Sequence, residues 1–345
     1  MRLLLAIFAL SITAADWERA KPEDQGYSTK RLNALKGYLA TIDTTAMMAV
    51  HKGKVIFEYG DLTKQSYLAS VRKSLLAMLY GKYVANGKIN LDATLEELGM
   101  DDVGGLLPRE KQAKVRHLIT ARSGVFHPAS YSGDDLAQAP PRGTQQPGAY
   151  HLYSNWDFNA AGFVFEKQTG IDIYDALQKD LAEPIGMQDF DRALQKKAGN
   201  TTVSKYEAYP IWLTTRDMAR IGQLMLQNGK WEGKQVVASD WIKTITTLVT
   251  PVDDMNPPSA RGYANGTLWG YGYMWWIWDD HNRVGPLQGA YTGIGAVGQY
   301  ITVLPALDLV IAHKTVPGGS RGVTGSQYHT ALMQVINARC ARACP

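Results

Sequence analysis

The sequence predicts an α+β fold, an antiparallel sheet flanked by helices with a mainly helical lobe inserted into it. Three observations carry this. Two apolar runs around a Gly-containing turn near the N-terminus read as a β-hairpin. From residue 90 to residue 250 the pattern is mostly helical, broken by loops rich in Pro and Gly. Strand-like runs then return near the C-terminus, and neither group of strands makes a core alone, so both are expected in one sheet.

The elements follow in order. Ser28 can cap an amphipathic helix running to Ile42, with Leu32, Leu35 and Leu39 at helical spacing. Ala46–Val50 and Val55–Tyr59 flank the turn Lys52-Gly53-Lys54 and form the hairpin. A second helix is predicted from about Ser70 to Ala85, stopped by Asn86-Gly87. The longest break in the middle region is Ser130 to Gly148, with Pro140, Pro141 and Pro147. Tyr271–Trp278, Gln299–Leu304 and Leu307–Ala312 are the late strands, and Val323–Ala338 reads as a closing helix. Trp275, Trp276 and Trp278 read as a strand filling a core rather than as a ligand platform. The sheet lobe is thus expected over about 20–70 and 255–340, and the helical lobe over about 71–254, within one unit spanning 16–345.

Of 345 residues, 45% are hydrophobic and 20% charged, values of an ordinary globular chain long enough to bury a full core. The net charge of +4 comes from scattered Lys and Arg, with no basic run of the kind that binds nucleic acid. Residues 1–15 combine Arg2, an apolar stretch from Leu3 to Ile12 and Thr13-Ala14-Ala15, the pattern of a secretory signal peptide. The stretch is shorter than the ~20 residues of a membrane span, so a periplasmic or secreted protein without a stable membrane anchor is expected. Cys340 and Cys344 are too few for a structural zinc site, and a local disulfide is compatible with export.

The chemistry starts at Ser70-Val71-Arg72-Lys73, the only S-x-x-K in the chain. Residues three apart share a helix face, so the Lys73 ammonium can lie beside the Ser70 hydroxyl. A serine hydroxyl is a weak nucleophile until a neighbour takes its proton, and a lysine can take it or organise another base. At a helix start, the Ser70 N–H and the helix dipole favour developing negative charge on a substrate oxygen. Taken alone, the motif also fits a helix-capping serine followed by a surface lysine.

The second piece is Tyr153-Ser154-Asn155. A tyrosine near an ammonium has its phenolate favoured and can relay the Ser70 proton. Asn155 can steady Lys73 or hold a substrate carbonyl. The third is Tyr291-Thr292-Gly293-Ile294-Gly295, where small residues on an edge strand would let substrate approach and supply a second oxyanion donor. Gly295 to Gln299 is the alternative start for this active-site strand.

In this order the three pieces resemble the serine β-lactamase and penicillin-binding superfamily. More narrowly they resemble its class C-type branch, which includes family VIII carboxylesterases and D-alanyl peptidases. Val115–Gly124, Pro147-Gly148, Leu213–Arg220 and Val303–Val310 are similar to further segments of that branch. The resemblance implies Ser70 as nucleophile, Lys73 and Tyr153 as its activating pair, and Asn155, Tyr291, Thr292, Gly293 and Ile294 as substrate-binding residues. It implies no metal and no cofactor. Tyr291 stands where Lys or His is usual, and a phenol is a poor partner for a substrate carboxylate. Small esters or amides are therefore expected ahead of β-lactams. A β-lactamase or D-alanyl peptidase, or a binding module without turnover, is the alternative. Gly318-Gly319-Ser320-Arg321-Gly322 fits the nucleophile-elbow pattern, but no Asp or Glu follows Ser320 to complete that triad.

Overall fold

The computed structural model describes residues 16–131, 136–257, 269–279, 285–318 and 321–340. The expected signal peptide, Ser320 of the elbow pattern and Cys344 lie outside them. Cys340 is disulfide-bonded.

Helix α1 (Thr29–Leu39) is capped by Ser28, whose hydroxyl accepts from the Arg31 N–H. Strands β1 (Ala46–His51) and β2 (Lys54–Gly60) form the expected hairpin. Its turn residues Lys52 and Gly53 have φ of +50° and +76°, the conformation a tight two-residue hairpin demands. The short β3 (Ser66–Tyr67) leads into α2 (Val71–Ala85). The middle of the chain supplies α3 (Pro108–Lys111), α4 (Val115–Ile119), α5 (Asn155–Thr169) and α6 (Ile173–Leu177). Strand β4 (Trp212–Leu213) pairs with β3 and precedes α7 (Thr215–Leu226). A small ribbon of β5 (Lys230–Trp231) and β6 (Lys234–Gln235), then α8 (Ser239–Ile245), close this part. The late elements are β7 (Trp269–Tyr271), β8 (Trp276–Trp278), β9 (Tyr291–Gly295), β10 (Gln299–Leu304), β11 (Leu309–Lys314) and α9 (Gly325–Asn337).

The main sheet has the order β2-β1-β11-β10-β9-β8-β7, and every recorded pairing in it is antiparallel. The N-terminal hairpin therefore joins the late strands through β1 and β11, as the two incomplete groups of strands required. Tyr271–Trp278 is not one strand, as expected from its aromatic run. Gly272–Trp275 form a bend, with Met274 at φ +60°, and fold the segment into the β7–β8 hairpin.

Both faces of the sheet are covered, and the period-two alternation shows in β1. Met48 and Val50 belong to the core beneath α2 and α7, whereas Met47 and Ala49 face α1 and α9. Helix α7 lies close on the sheet because Gly222 has no side chain. A Cβ there would sit 2.3 Å from Val310 Cγ1. Helix α2 is buried almost all round, from Val71 to Gly81, between the sheet and the helices of the middle region. Burying each of Val71, Leu75 and Leu76 contributes about 1.5–3 kcal/mol, so the start of α2 is firmly anchored.

One buried cation ties the sheet to the segment ahead of α2. Lys314, at the end of β11, is 1% exposed. Its Nζ donates to the Ser66 carbonyl at 2.9 Å and to the Leu213 carbonyl, gripping the β3–β4 ladder. Burial pushes its pKa down to about 7.

Candidate active site

Ser70 opens α2 with helical backbone angles, φ −75° and ψ −9°. Ala69 just before it sits at φ +48°, a left-handed conformation uncommon for a residue with a Cβ. The chain thus turns sharply from β3 into the helix and presents the serine at the corner. The Ser70 N–H makes no hydrogen bond among the described residues, so it is available to an incoming oxyanion.

One helical turn on, Lys73 is 1% exposed. Its Nζ donates to Ser70 Oγ at 3.0 Å, to Tyr153 Oη at 2.6 Å and to Asn155 Oδ1 at 2.6 Å. An ammonium has three protons, so these bonds aim the amine completely. Nζ also lies 4.1 Å from the centroid of the Tyr153 ring and 4.3 Å from that of Phe158. Asn155 therefore steadies Lys73, one of the two roles its amide left open.

Tyr153 precedes α5, whose N-cap Ser154 accepts from the Trp156 N–H. Its ring stacks on Trp276, centroids 5.5 Å apart and planes 28° apart, and meets Tyr271 edge-on at 5.9 Å. The Tyr271 phenol is buried, which pushes its pKa well above the ordinary value. The loop carrying Tyr153 is held by Arg122, which donates to the carbonyls of Gly148 and Ala149 at 2.9 and 3.1 Å and to Thr250 Oγ1 at 2.8 Å. The Leu152 N–H bonds the Ala121 carbonyl, and Ser123 Oγ donates to the buried Asp157 of α5 at 2.5 Å. The Ala121–Ser123 segment is thus a clamp on the loop that delivers the phenol.

The third motif needs correction. Tyr291 and Thr292 do not present side chains to Ser70. Tyr291 is buried, edge-on to Trp275 at 5.5 Å, and burial pushes its phenol pKa up. Thr292 is fully buried and shares hydrogen bonds with Trp278 Nε1 and Thr302 Oγ1, both at 3.0 Å. Adjacent on β9, they point to opposite faces of the sheet, and both are buried because both faces are covered there, Tyr291 in the core beneath α2 and α7 and Thr292 toward Trp278 and the α9 side. A Cβ on Gly293 would sit 3.0 Å from Ser74 Oγ, so this glycine seats α2 rather than a substrate. Ile294 is half-buried and packs with the core beneath α1 and α9.

The strand meets the turn before Ser70 at Gly295, which lies in the stretch Gly295–Gln299. A Cβ at Gly295 would lie 2.4 Å from the Leu68 carbonyl oxygen and 3.2 Å from Ala69 Cβ. The β8 pairing ends at Thr292, which leaves Gly293–Gly295 as a local edge beside Ser70. Phe158 was not singled out as a site residue in the sequence, and Trp276 was read only with its neighbours as core filling. The tryptophan run was its trace, and only Trp276 of the three touches Tyr153, while Trp275 and Trp278 are core residues as expected.

Comparison with known proteins gives the family. Monacolin J acid methylbutanoyltransferase of Aspergillus terreus is 30% identical over 161 residues, 38% of this chain and 38% of that protein. The 6-aminohexanoate-dimer hydrolase of Paenarthrobacter ureafaciens is 25% identical over 159 residues, 46% of this chain and 37% of that protein. The chain thus matches well under half the length of these relatives. A penicillin-binding protein homologue from Caulobacter crescentus superposes with a TM-score of 0.64 at 15% identity, over 91% of this chain and 99% of that one, and shares the fold. The Beta-lactamase family profile matches residues 33–315, most of the chain and all three motifs, and the chain belongs to that family.

Proposed function

We propose that the chain is a serine hydrolase that cleaves small esters or amides through an acyl-enzyme on Ser70. The observation that carries this is Lys73 Nζ, within bonding distance of Ser70 Oγ, Tyr153 Oη and Asn155 Oδ1 at once. Ser70 Oγ bonds to the substrate carbonyl carbon as its proton passes to the Lys73–Tyr153 pair. The pair gives that proton to the departing alkoxide or amine as the old bond breaks. Water then attacks the acyl-enzyme, its proton returns to Ser70 through the same pair, and the acid leaves. In this reading the Ser70 N–H, beside the Gly295 edge, holds the oxyanion.

An alcohol can replace water in the second half, which gives acyl transfer. The methylbutanoyltransferase relative supports this as a second reading. Esters and amides are favoured over β-lactams because the usual cation of the third motif is a core tyrosine here. Export is proposed from the pattern of residues 1–15.

A fluorophosphonate probe tests the assignment. It is expected to label Ser70, with p-nitrophenyl butyrate turned over repeatedly and nitrocefin poorly, and Ser70→Ala to abolish both labelling and turnover. Labelling that persists in Ser70→Ala overturns the nucleophile. A single stoichiometric burst without turnover overturns the hydrolase in favour of a binding module.

A further inference from the structure

A cleft of about 770 Å³ opens beside the β3–α2 turn. This volume is within the range of small-molecule sites. One wall is Tyr67 and Trp212, paired across β3 and β4 with ring centroids 6.0 Å apart. Tyr131 and Leu194 line it as well, together with Val316-Pro317 after β11. Tyr131, Leu194 and Trp212 are 38%, 43% and 38% exposed, large apolar side chains left open in one place. Tyr67 is three residues before Ser70, a chain length of at most ~11 Å.

The wall is rigid. The buried Gln195 amide clamps the Trp212 backbone, accepting from its N–H at 2.9 Å and donating to its carbonyl at 3.0 Å. Lys314 holds the neighbouring Ser66 and Leu213 carbonyls.

The charge around the cleft has one sign. Lys64, Lys196 and Lys197 line it, and no acid does among the described residues. Lys197 is engaged by Glu166, but Lys64 and Lys196 are exposed and form no ion pair among the described residues. Behind the wall lies Arg72, 2% exposed, its guanidinium 4.3 Å from the centroid of the Tyr209 ring. It donates to Asn159 Oδ1, while its Nε and Nη1 make no hydrogen bond of good geometry among the described residues. With no ion-pair partner among the described residues, this buried cation adds to the positive field of the lysine rim.

A second cavity, of about 650 Å³, does not compete for this role. It meets α2 at Met78 and Leu79, ~12 Å along the helix from Ser70, and its lining mixes Lys82 and Lys179 with Asp180 and Glu183.

We propose that the cleft of Tyr67, Trp212, Tyr131 and Leu194 receives the acyl group of the substrate, an apolar chain ending in an anion held by Lys64 and Lys196. This rests on the acyl-enzyme reading above and names its substrate class. The apolar walls take the chain, and the rim lysines meet a terminal carboxylate.

Three esters of p-nitrophenol test it, the acetate, the hexanoate and the monoester of adipic acid. Hexanoate is expected to exceed acetate in kcat/KM by about tenfold or more, since each buried methylene adds discrimination. The adipate monoester is expected to exceed hexanoate by about threefold at low salt, an advantage lost in about 0.5 M NaCl. Trp212→Ala lowers the hexanoate-to-acetate ratio by about tenfold, and Trp212→Phe restores most of it. Lys64→Gln with Lys196→Gln brings the adipate-to-hexanoate ratio to about one. A hexanoate-to-acetate ratio unmoved by Trp212→Ala, or an adipate ester no better than hexanoate in the unaltered protein, overturns the proposal.

Direct binding separates the cleft from the chemistry. Adipate titrated by calorimetry into Ser70→Ala is expected to bind, and several-fold more weakly once Trp212→Ala is added. Binding without any ester turnover sinks the acyl-enzyme reading and leaves the cleft standing. Absence of binding, or binding indifferent to Trp212, sinks the cleft.

Discussion

Trp276 lies flat on Tyr153, their ring centroids 5.5 Å apart, and so fixes the direction in which the phenol points at Lys73. An aromatic pair of this kind is worth ~0.5–1.5 kcal/mol beyond its buried area. Trp276→Ala should lower kcat for p-nitrophenyl butyrate by about tenfold, with KM nearly unchanged, because the phenol loses its orientation rather than the substrate its contacts. Trp276→Phe should recover most of the rate. Equal loss in both variants would argue for a different role.

Gly295 should accept no side chain. In Gly295→Ala the new methyl would stand 2.4 Å from the Leu68 carbonyl, so either the end of β9 or the Ala69-Ser70 turn has to move. A shift of about 1 Å at a reacting group costs about 100-fold in rate. Fluorophosphonate labelling of Ser70 should slow by that order, while the melting temperature falls only a few degrees. A variant that labels at the normal rate shows that the turn does not depend on this contact.

Lys314 carries a pH signature. In the folded protein burial lowers its pKa to about 7, while the unfolded chain keeps the ordinary value near 10.5. Between these values the unfolded state binds a proton that the folded state does not, so this residue makes stability rise with pH across that window. The slope is at most about 1.4 kcal/mol per pH unit, that of one proton, and the neighbouring Asp217, itself pushed up to about 6 by burial, favours the charged amine. Lys314→Met removes this slope. It also strands the Ser66 and Leu213 carbonyls, at a cost of about 1–3 kcal/mol each. Urea unfolding at pH 7 and pH 9 should show the gap between the two proteins widening with pH.

Acid should destabilise the protein before most carboxylates titrate. His313 is fully buried, bonded to Thr44 Oγ1 at 2.9 Å and the Gly298 carbonyl at 2.8 Å, and its pKa is pushed down to about 4. His151, packed near Tyr271, is pushed down to about 3. Both must stay neutral to remain folded, and unfolding lets them take protons below about 6.5, so their contribution is lost as pH falls from there toward 4 and 3. His117, also pushed down to about 4 chiefly by burial, acts in the same sense, and Asp217 in the opposite sense between about 6 and 3.8, which leaves a net uptake of at most about two protons, or about 2.7 kcal/mol per pH unit. His313→Gln should flatten the loss measured by urea unfolding between pH 6.5 and 4.5. An unchanged slope would place the acid sensitivity elsewhere.

Much of this was legible in the chain before any coordinates. Ser70 and Lys73 share a face because three residues nearly complete a helical turn, and local periodicity is what sequence displays best. Tyr153 and Asn155 were legible as a motif, but their arrival at Lys73 is a tertiary fact, made by the Arg122 and Ala121 clamp on the loop. The third motif misled because Tyr291 and Thr292 carry the residue types of a binding strand. The sheet is covered on both faces there, so both side chains are buried, and which helices cover a strand cannot be read from that strand alone. Trp275, Trp276 and Trp278 were legible as core filling, and the bend at Gly272–Trp275, which sends Trp276 alone to the phenol, was not. The cleft was invisible for the same reason, since Tyr67, Tyr131, Leu194, Trp212 and Val316 lie far apart along the chain.

The grip of Lys314 on Ser66 and Leu213 has a consequence for synthesis. The corner bearing Ser70 is braced by a residue made long after it in the order of synthesis. A nascent chain long enough to contain the serine, the amine and the phenol still lacks that brace. The corner therefore receives its brace only once β11 has been made and has docked beside β1.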